Sequence, residues 1–351
     1  MGTLIEDQRQ MYLKVLQLHE DVQDLKAYAA AMRVETAGPS GNVPRLEYKS
    51  QTQRWEVYSE NEPVPRNQVE FPKLTTRGDR SEGSCDSKHV WIEWKEYDKR
   101  DGDLITDRVK QIVALLKMPN KPKSFRCPNC VGYFEEGTDM FGFLYEKPNG
   151  TQLTPTSLLD LFSREKLRPS LGQRILLAYN LATTVLYLHA VDWMHKSLRS
   201  DNVLFFFADG EEIPCDSPTI SGYDFARPSG GTTEHVYSDP NHDVYRHPKV
   251  NTREYEVSFD IYSLGIVLVE VAYWQPIRKI MKTFSSNEVK KRILDANTMR
   301  ELKARVGDGY ADAVRDCLQG LPDNQRNEGI ELQKWFQAKV VLNLDRVGFQ
   351  V

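Results

Sequence analysis

One run of residues, 173 to 207, decides what this chain can fold into. Between Gln173 and His189, the apolar residues Ile175, Leu176, Leu181, Ala182, Val185, Leu186 and Leu188 are spaced for a long helix with a wide buried face. The polar loop Met194-His195-Lys196-Ser197-Leu198-Arg199-Ser200-Asp201-Asn202 follows directly. Val203-Leu204-Phe205-Phe206-Phe207 then reads as a short apolar strand. A buried helix, a loop rich in polar side chains and a buried strand in immediate succession place chemistry-bearing groups at the edge of a core.

The bulk numbers set wide limits. At 351 residues the chain can bury a large core, and length alone suggests about two domains. Hydrophobic content of 40% and charge of 27% suit an ordinary globular protein. A net charge of −4 exerts no general pull toward nucleic acid or acidic membranes. No apolar run approaches the roughly 20 residues that span a bilayer, and the start lacks a signal-peptide pattern. Five cysteines, an odd number, are scattered along the chain, which fits a reducing compartment and points to the cytoplasm.

Residues 4 to 33 contain neither Gly nor Pro, and Met11, Val15, Leu18, Val22, Leu25, Ala29 and Met32 form one seam at heptad spacing. This predicts an amphipathic helix, either packed on its own domain or acting as a brace that contacts another chain, including a second copy. A membrane-acting role is a third reading, although the seam lacks the tryptophan and strongly basic face of an interfacial helix. Ala37-Gly38-Pro39-Ser40-Gly41 ends the helix as a linker. The expected organisation is 1–41 as helix and linker, 42–148 as a small strand-rich region and 149–351 as a helical region.

Residues 44 to 89 are polar, with a strand-like fragment at 54–58 and with Gly78 and Gly83 in a charged loop, Thr76-Arg77-Gly78-Asp79-Arg80-Ser81-Glu82-Gly83. Val90-Trp91-Ile92-Glu93-Trp94-Lys95 is a strand by composition. Alternation puts Trp91, Glu93 and Lys95 on one face and Val90, Ile92 and Trp94 on the other. Leu104 to Leu116 predicts a helix buried through Ile105, Val109, Ile112, Val113 and Leu116. The basic, proline-containing run 117–126 reads as a solvated turn. Cys127-Pro128-Asn129-Cys130 has metal-like spacing but no second pair to complete a zinc site. Residues 131–145 predict a hairpin turning at Glu135-Glu136-Gly137-Thr138-Asp139. Short and long helices are expected at 157–162, 311–318 and 330–344.

The pattern His195-x-x-Leu198-x-x-x-Asn202 resembles the catalytic loop of protein kinases. Four other features stand in the right order around it. They are the strand Val90-x-Ile92-x-x-Lys95, a hairpin running into the hinge-like Glu146-Lys147-Pro148-Asn149-Gly150, Gly222-Tyr223-Asp224-Phe225-Ala226-Arg227, and Asp260-Ile261-Tyr262-Ser263-Leu264-Gly265. Over roughly residues 85 to 345 the chain therefore looks like an α+β, two-lobed protein kinase-like fold, with a small β-rich N-lobe and a large helical C-lobe. More narrowly, Val90-Trp91-Ile92-Glu93-Trp94-Lys95, Tyr245-Arg246-His247-Pro248 and the helix through Glu270 resemble kinase-like proteins of filamentous fungi. In that group the domain often follows a HeLo-type helical domain implicated in incompatibility and cell death. No complete domain of that kind is read here, and residues 4–33 would be its brace or remnant.

The resemblance implies roles residue by residue. His195, Ser197, Arg199 and Asn202 stand at the loop positions, with Ser197 in place of the catalytic aspartate and Asn202 as the metal-binding asparagine. Arg199 stands where the γ-phosphate lysine often lies. ATP would be held through Lys95 and Asn202, with Glu93 in the small-residue position beside the adenine. In a shifted register Glu93 instead replaces the lysine and Trp91 fills the adenine position. No Gly-x-Gly-x-x-Gly covers the phosphates, and the helix 104–116 has no glutamate for the strand lysine, Asp107 and Gln111 being nearest. The magnesium aspartate becomes Gly222 if Ala226-Arg227 sets the register, and Asp224 if Asp224-Phe225 does; the first keeps the sequel in step. Asp260 would hold the loop backbone from beneath.

Phosphoryl transfer rests on positioning and electrostatic stabilisation. Ser197 is no anionic base at neutral pH and Gly222 binds no metal. The expected function is a catalytically impaired kinase-like module with a protein partner, in signalling or programmed cell death. The alternative is an atypical Ser/Thr kinase using Asp224 for magnesium and Asp201 near the substrate.

Overall fold

A computed structural model describes residues 61–72, 80–97, 102–117, 121–148, 153–228, 240–283, 285–321 and 329–348. The helix expected at 4–33, its linker and the fragment at 54–58 lie outside the described residues.

β1 (Val69–Glu70), β2 (Ser81–Cys85), β3 (Lys88–Glu96), β4 (Asn129–Glu136) and β5 (Met140–Glu146) form one antiparallel sheet, in the order β1-β2-β3-β5-β4. β3 splits its side chains as alternation requires. Val90, Ile92 and Trp94 join Phe134 and Leu144 in one apolar layer, and Trp91 enters the main core with Tyr133 and Tyr145. Between β3 and β4 runs α1 (Gly102–Leu116), whose Ile105, Val109, Ile112, Val113 and Leu116 are buried in that same core.

Gly83 is not in a loop. It lies within β2, whose Ser81 pairs with Ile92 and whose Cys85 pairs with Lys88. Serine, glutamate and glycine are poor strand formers, so tertiary pairing rather than propensity makes this strand. Its turn hid it as well: Asp86 and Ser87 both take positive φ, 47° and 64°, the geometry of a tight hairpin usually marked by glycine.

Beyond β5 the chain is mainly helical. α2 (Leu158–Leu161) starts where Ser157 Oγ accepts from the Asp160 N–H at 3.1 Å. α3 (Leu171–Ala190) starts at Ser170, which accepts from Gln173 N–H. α3 is longer than its pattern suggested, and Leu176, assigned to the buried face, is 37% exposed. Three short strands, β6 (Thr156–Ser157), β8 (Val203–Phe205) and β9 (Thr219–Ile220), pair in that order, while β7 (Trp193–Met194) pairs with β10 (Arg227–Pro228). These pairings anchor the loop 195–202 at both ends.

After α4 (Pro240–Asp243) comes α5 (Val257–Tyr273), which is mostly apolar and is buried from Phe259 to Ala272. α6 (Ile277–Met281), α7 (Ser286–Ile293), α8 (Ala296–Val306) and α9 (Asp308–Gln319) follow. Gly265 on α5 permits the closest approach to α9, because a Cβ there would lie 2.8 Å from Cys317 Cβ. The last segment, expected as one helix, is α10 (Gly329–Phe336) and α11 (Leu342–Gly348) joined by a π-helical turn, Gln337–Val341. The wider turn keeps Phe336, Val340, Val341 and Leu344 all buried. The β-rich N-lobe and helical C-lobe match a bilobal kinase-like arrangement. Among the described residues no helix is long and apolar enough to cross a membrane.

Candidate functional site

The loop 195–202 hangs on one buried carboxylate. Asp260, with no exposure, accepts from the backbone N–H of His195 at 2.7 Å and of Lys196 at 2.9 Å. Tyr255 donates its hydroxyl to the same carboxylate at 2.7 Å, and His189 Nε2 lies 3.2 Å away. Burial alone would raise this carboxyl, but the partners His189, His195 and Tyr255 outweigh it and hold Asp260 below its ordinary value. Lys196 sits at φ 65°, a left-handed conformation uncommon for a residue with a side chain. Its N–H bond to Asp260 is what holds it there.

His195 is buried, and burial pushes its imidazole down to about 4, so the ring is neutral at physiological pH. Its Nδ1 accepts from Ser197 N–H at 3.2 Å, and its ring packs 4.7 Å from that of Tyr223. A second buried chain runs behind the loop. Tyr245 donates to Glu270 at 2.8 Å and shares a hydrogen bond with Ser200 at 2.9 Å. Burial pushes the Glu270 carboxyl up to about 8.

Between the lobes the central group is Arg80, immediately before β2. Its Nε donates to Glu93 Oε1 at 2.8 Å. One terminal nitrogen donates to the Asp201 carbonyl at 2.9 Å. The other donates to Asn202 Oδ1 at 2.6 Å and to Ser221 Oγ at 2.8 Å. Glu93, nearly buried on β3, uses its second oxygen to accept from Gly222 N–H at 3.0 Å. One guanidinium thus ties the N-lobe sheet to the loop and to the turn after β9. A planar fork of donors suits this convergence of four acceptors as a point charge would not.

The other sequence-selected residues take separate places. Lys95, 2% exposed, donates to the Asp224 main-chain carbonyl at 2.6 Å, with its ammonium 4.7 Å from the centre of the Phe225 ring. Ser197 is held by Arg199 and lies 3.3 Å from Asn202 Nδ2, which also donates to the Ser197 carbonyl at 2.8 Å. Arg199 pairs with the Asp201 carboxylate at 2.8 Å. Burial works against the Arg199 charge, but Asp201 raises its affinity for protons beyond the usual value. Asp224 lines a cleft of 210 Å³ together with Ser197, Arg199, His242 and Arg246. The structure therefore brings Glu93, Asn202 and Gly222 together around Arg80, and sets Asp224, Ser197 and Arg199 along the neighbouring cleft.

Gly222 is tied to this arrangement by space as well as by hydrogen bonding. It sits at φ 80°, and a Cβ there would fall 2.1 Å from Asn202 Nδ2. Gly222→Asp is therefore expected to destabilise the protein by about 3 kcal/mol, from left-handed strain plus displacement of the Asn202 amide. Chemical denaturation measures it, and an unchanged midpoint would show that Asn202 moves aside freely.

Where β3 faces the C-lobe, Trp91 is buried with its ring 4.6 Å from that of Tyr145 and 6.4 Å from that of Phe206. Lys147, buried at the end of β5, donates to Glu82 of β2 at 2.9 Å. Cys127 and Cys130 are free thiols, both raised by burial, Cys130 to about 12. Among the described residues no group of three or more His, Cys, Asp or Glu stands together as a metal site. Arg80, Ser221 and Tyr255 were absent from the sequence-selected set; no local pattern marks them, and Arg80 is distant in the chain from its partners Asp201 and Ser221.

Residues 141–346 match the family model described as a domain of unknown function, DUF7580. The chain belongs to the DUF7580 family. This DUF7580 chain is also 24% identical over 161 residues to kinY of Dictyostelium discoideum, named a probable serine/threonine-protein kinase. That alignment covers 44% of the chain and 26% of the relative. PBL20 of Arabidopsis thaliana, likewise named a probable serine/threonine-protein kinase, is 27% identical over 243 residues, 67% of the chain and 58% of the relative. The matched part thus spans about a quarter of the first and somewhat over half of the second.

Proposed function

We propose that this DUF7580 chain is a pseudokinase: a kinase-like module that transfers no phosphate and works by binding another protein. The observation that carries the reading is the Arg80 guanidinium on Asn202 Oδ1 at 2.6 Å. That oxygen is the one the kinase resemblance assigns to magnesium, and here the chain's own cation holds it. Three further features support the same reading. Gly222 offers no carboxylate, Ser197 offers no anionic base, and Trp91 with Tyr145 fills space beside the strand that would flank adenine. The residues present do not fit magnesium-bound ATP. A place in the cytoplasm rests on the scattered cysteines, and one in fungal signalling or programmed cell death rests on the narrower resemblance; both belong to the same proposal.

The competing reading is an atypical Ser/Thr kinase, and one observation favours it: Asp224, Ser197 and Arg199 share the 210 Å³ cleft. Incubation with radiolabelled ATP, magnesium or manganese and a general protein substrate separates the two. A pseudokinase gives no incorporation above that of the Asp224→Asn variant. Loss of a positioned base alone costs about 10²–10⁴-fold. Incorporation that depends on Asp224 and Lys95 would establish the kinase instead.

A further inference from the structure

On the far side of the C-lobe, α6, α8 and the C-terminal end of α5 enclose an open pocket of 390 Å³. Among the described residues its three cations come from separate parts of the chain: Arg168 ahead of α3, Lys279 on α6 and Arg305 on α8. Among those same residues Glu301 is the one carboxylate in the lining, and it already accepts from Arg305 at 3.3 Å. The Arg305 guanidinium lies over the Tyr273 ring, 4.4 Å from its centre.

The charge here is unbalanced. Among the described residues of the lining, three cations face one carboxylate, and Arg305 already engages it. Water would leave that charge unmet. An oxyanion balances it, and arginine forks match its oxygens better than lysine alone.

We infer that this pocket is a binding site for a phosphate-type dianion, held by Arg168, Lys279 and Arg305. The source is either free phosphate or a phosphorylated side chain of another protein. The site is independent of the inter-lobe site and does not depend on whether the chain transfers phosphate.

Calorimetric titration of the whole chain tests it, with inorganic phosphate in one arm and a short phosphoserine peptide in the other. Sodium chloride at matched ionic strength is the control for screening. The expected result is saturable binding with a Kd of about 1 mM or tighter, weakened about tenfold or more in Arg168→Glu/Lys279→Glu. Both substituted side chains are exposed, so an unchanged melting temperature confirms that the variant is folded. A peptide about tenfold tighter than phosphate identifies a phosphorylated partner chain, and equal affinity identifies free phosphate; either outcome supports the site. Absence of saturable binding in both arms, or equal binding by the double variant, overturns it.

Discussion

Asp260→Ala is expected to lower the unfolding free energy by about 4 kcal/mol. The substitution removes the acceptor for the His195 and Lys196 N–H groups and for the Tyr255 hydroxyl, in a place with no exposure to water. Each orphaned buried donor costs about 1–3 kcal/mol, less than additively because the loop relaxes. It also releases the left-handed Lys196, so the loop loses its shape as well as its bonds. Asp260→Asn keeps the volume but turns an amide NH₂ toward donors, and it should recover only part of the loss. The pH dependence follows with a definite sign. A carboxyl held below its ordinary value of 3.8 gives stability that is present above that pH and lost as pH falls through the folded value. The gap between wild type and variant should therefore narrow in acid. Urea unfolding at several pH values measures it; a loss below about 1 kcal/mol would mean the loop stands without Asp260.

Arg80→Ala is the second large effect, expected to cost about 3 kcal/mol. The variant leaves Glu93, whose side chain is 7% exposed, without its cation, and leaves Asn202 Oδ1 and Ser221 Oγ without that donor. Arg80 itself is 26% exposed, which lets water replace part of what is lost and keeps the figure at the lower end for a broken buried pair. Arg80→Lys retains the charge but not the fork, and should restore less than half. A double-mutant cycle with Glu93→Gln is expected to show coupling of about 2 kcal/mol. Additive effects would mean that the two residues do not act as a pair.

These residues also show what local pattern can reveal. The hairpin of β4 and β5, α1 and α3 were legible because their spacing matches one regular period, and the period is a local property; α5 was legible only through its resemblance to the kinase core helix. The loop 195–202 was legible for the same reason, being set between α3 and β8. Leu176 marks the limit: spacing identifies an apolar face, and only packing decides how much of its edge is covered. β2 was missed because its stability comes from β3 and not from its own residues. Arg80 was missed because its partners Asp201, Asn202 and Ser221 lie more than a hundred residues away, joined only when the lobes meet. The choice at β3 was likewise a question of lobe contact. Glu93 reaches Asn202 through Arg80 and accepts from Gly222 N–H directly, while Lys95 reaches the Asp224 carbonyl, and no pattern within the strand distinguishes them.

The claim that the inter-lobe site is held by the chain's own cation is tested most directly by a thermal shift of the whole protein with ATP, with and without magnesium. A ligand that binds the folded state at about 100 times its Kd adds roughly 2.7 kcal/mol of stability. The structure predicts a flat response in both conditions, since Arg80 holds Asn202 and Trp91 packs against Tyr145. A saturable rise in melting temperature, above all one that requires magnesium, would contradict it.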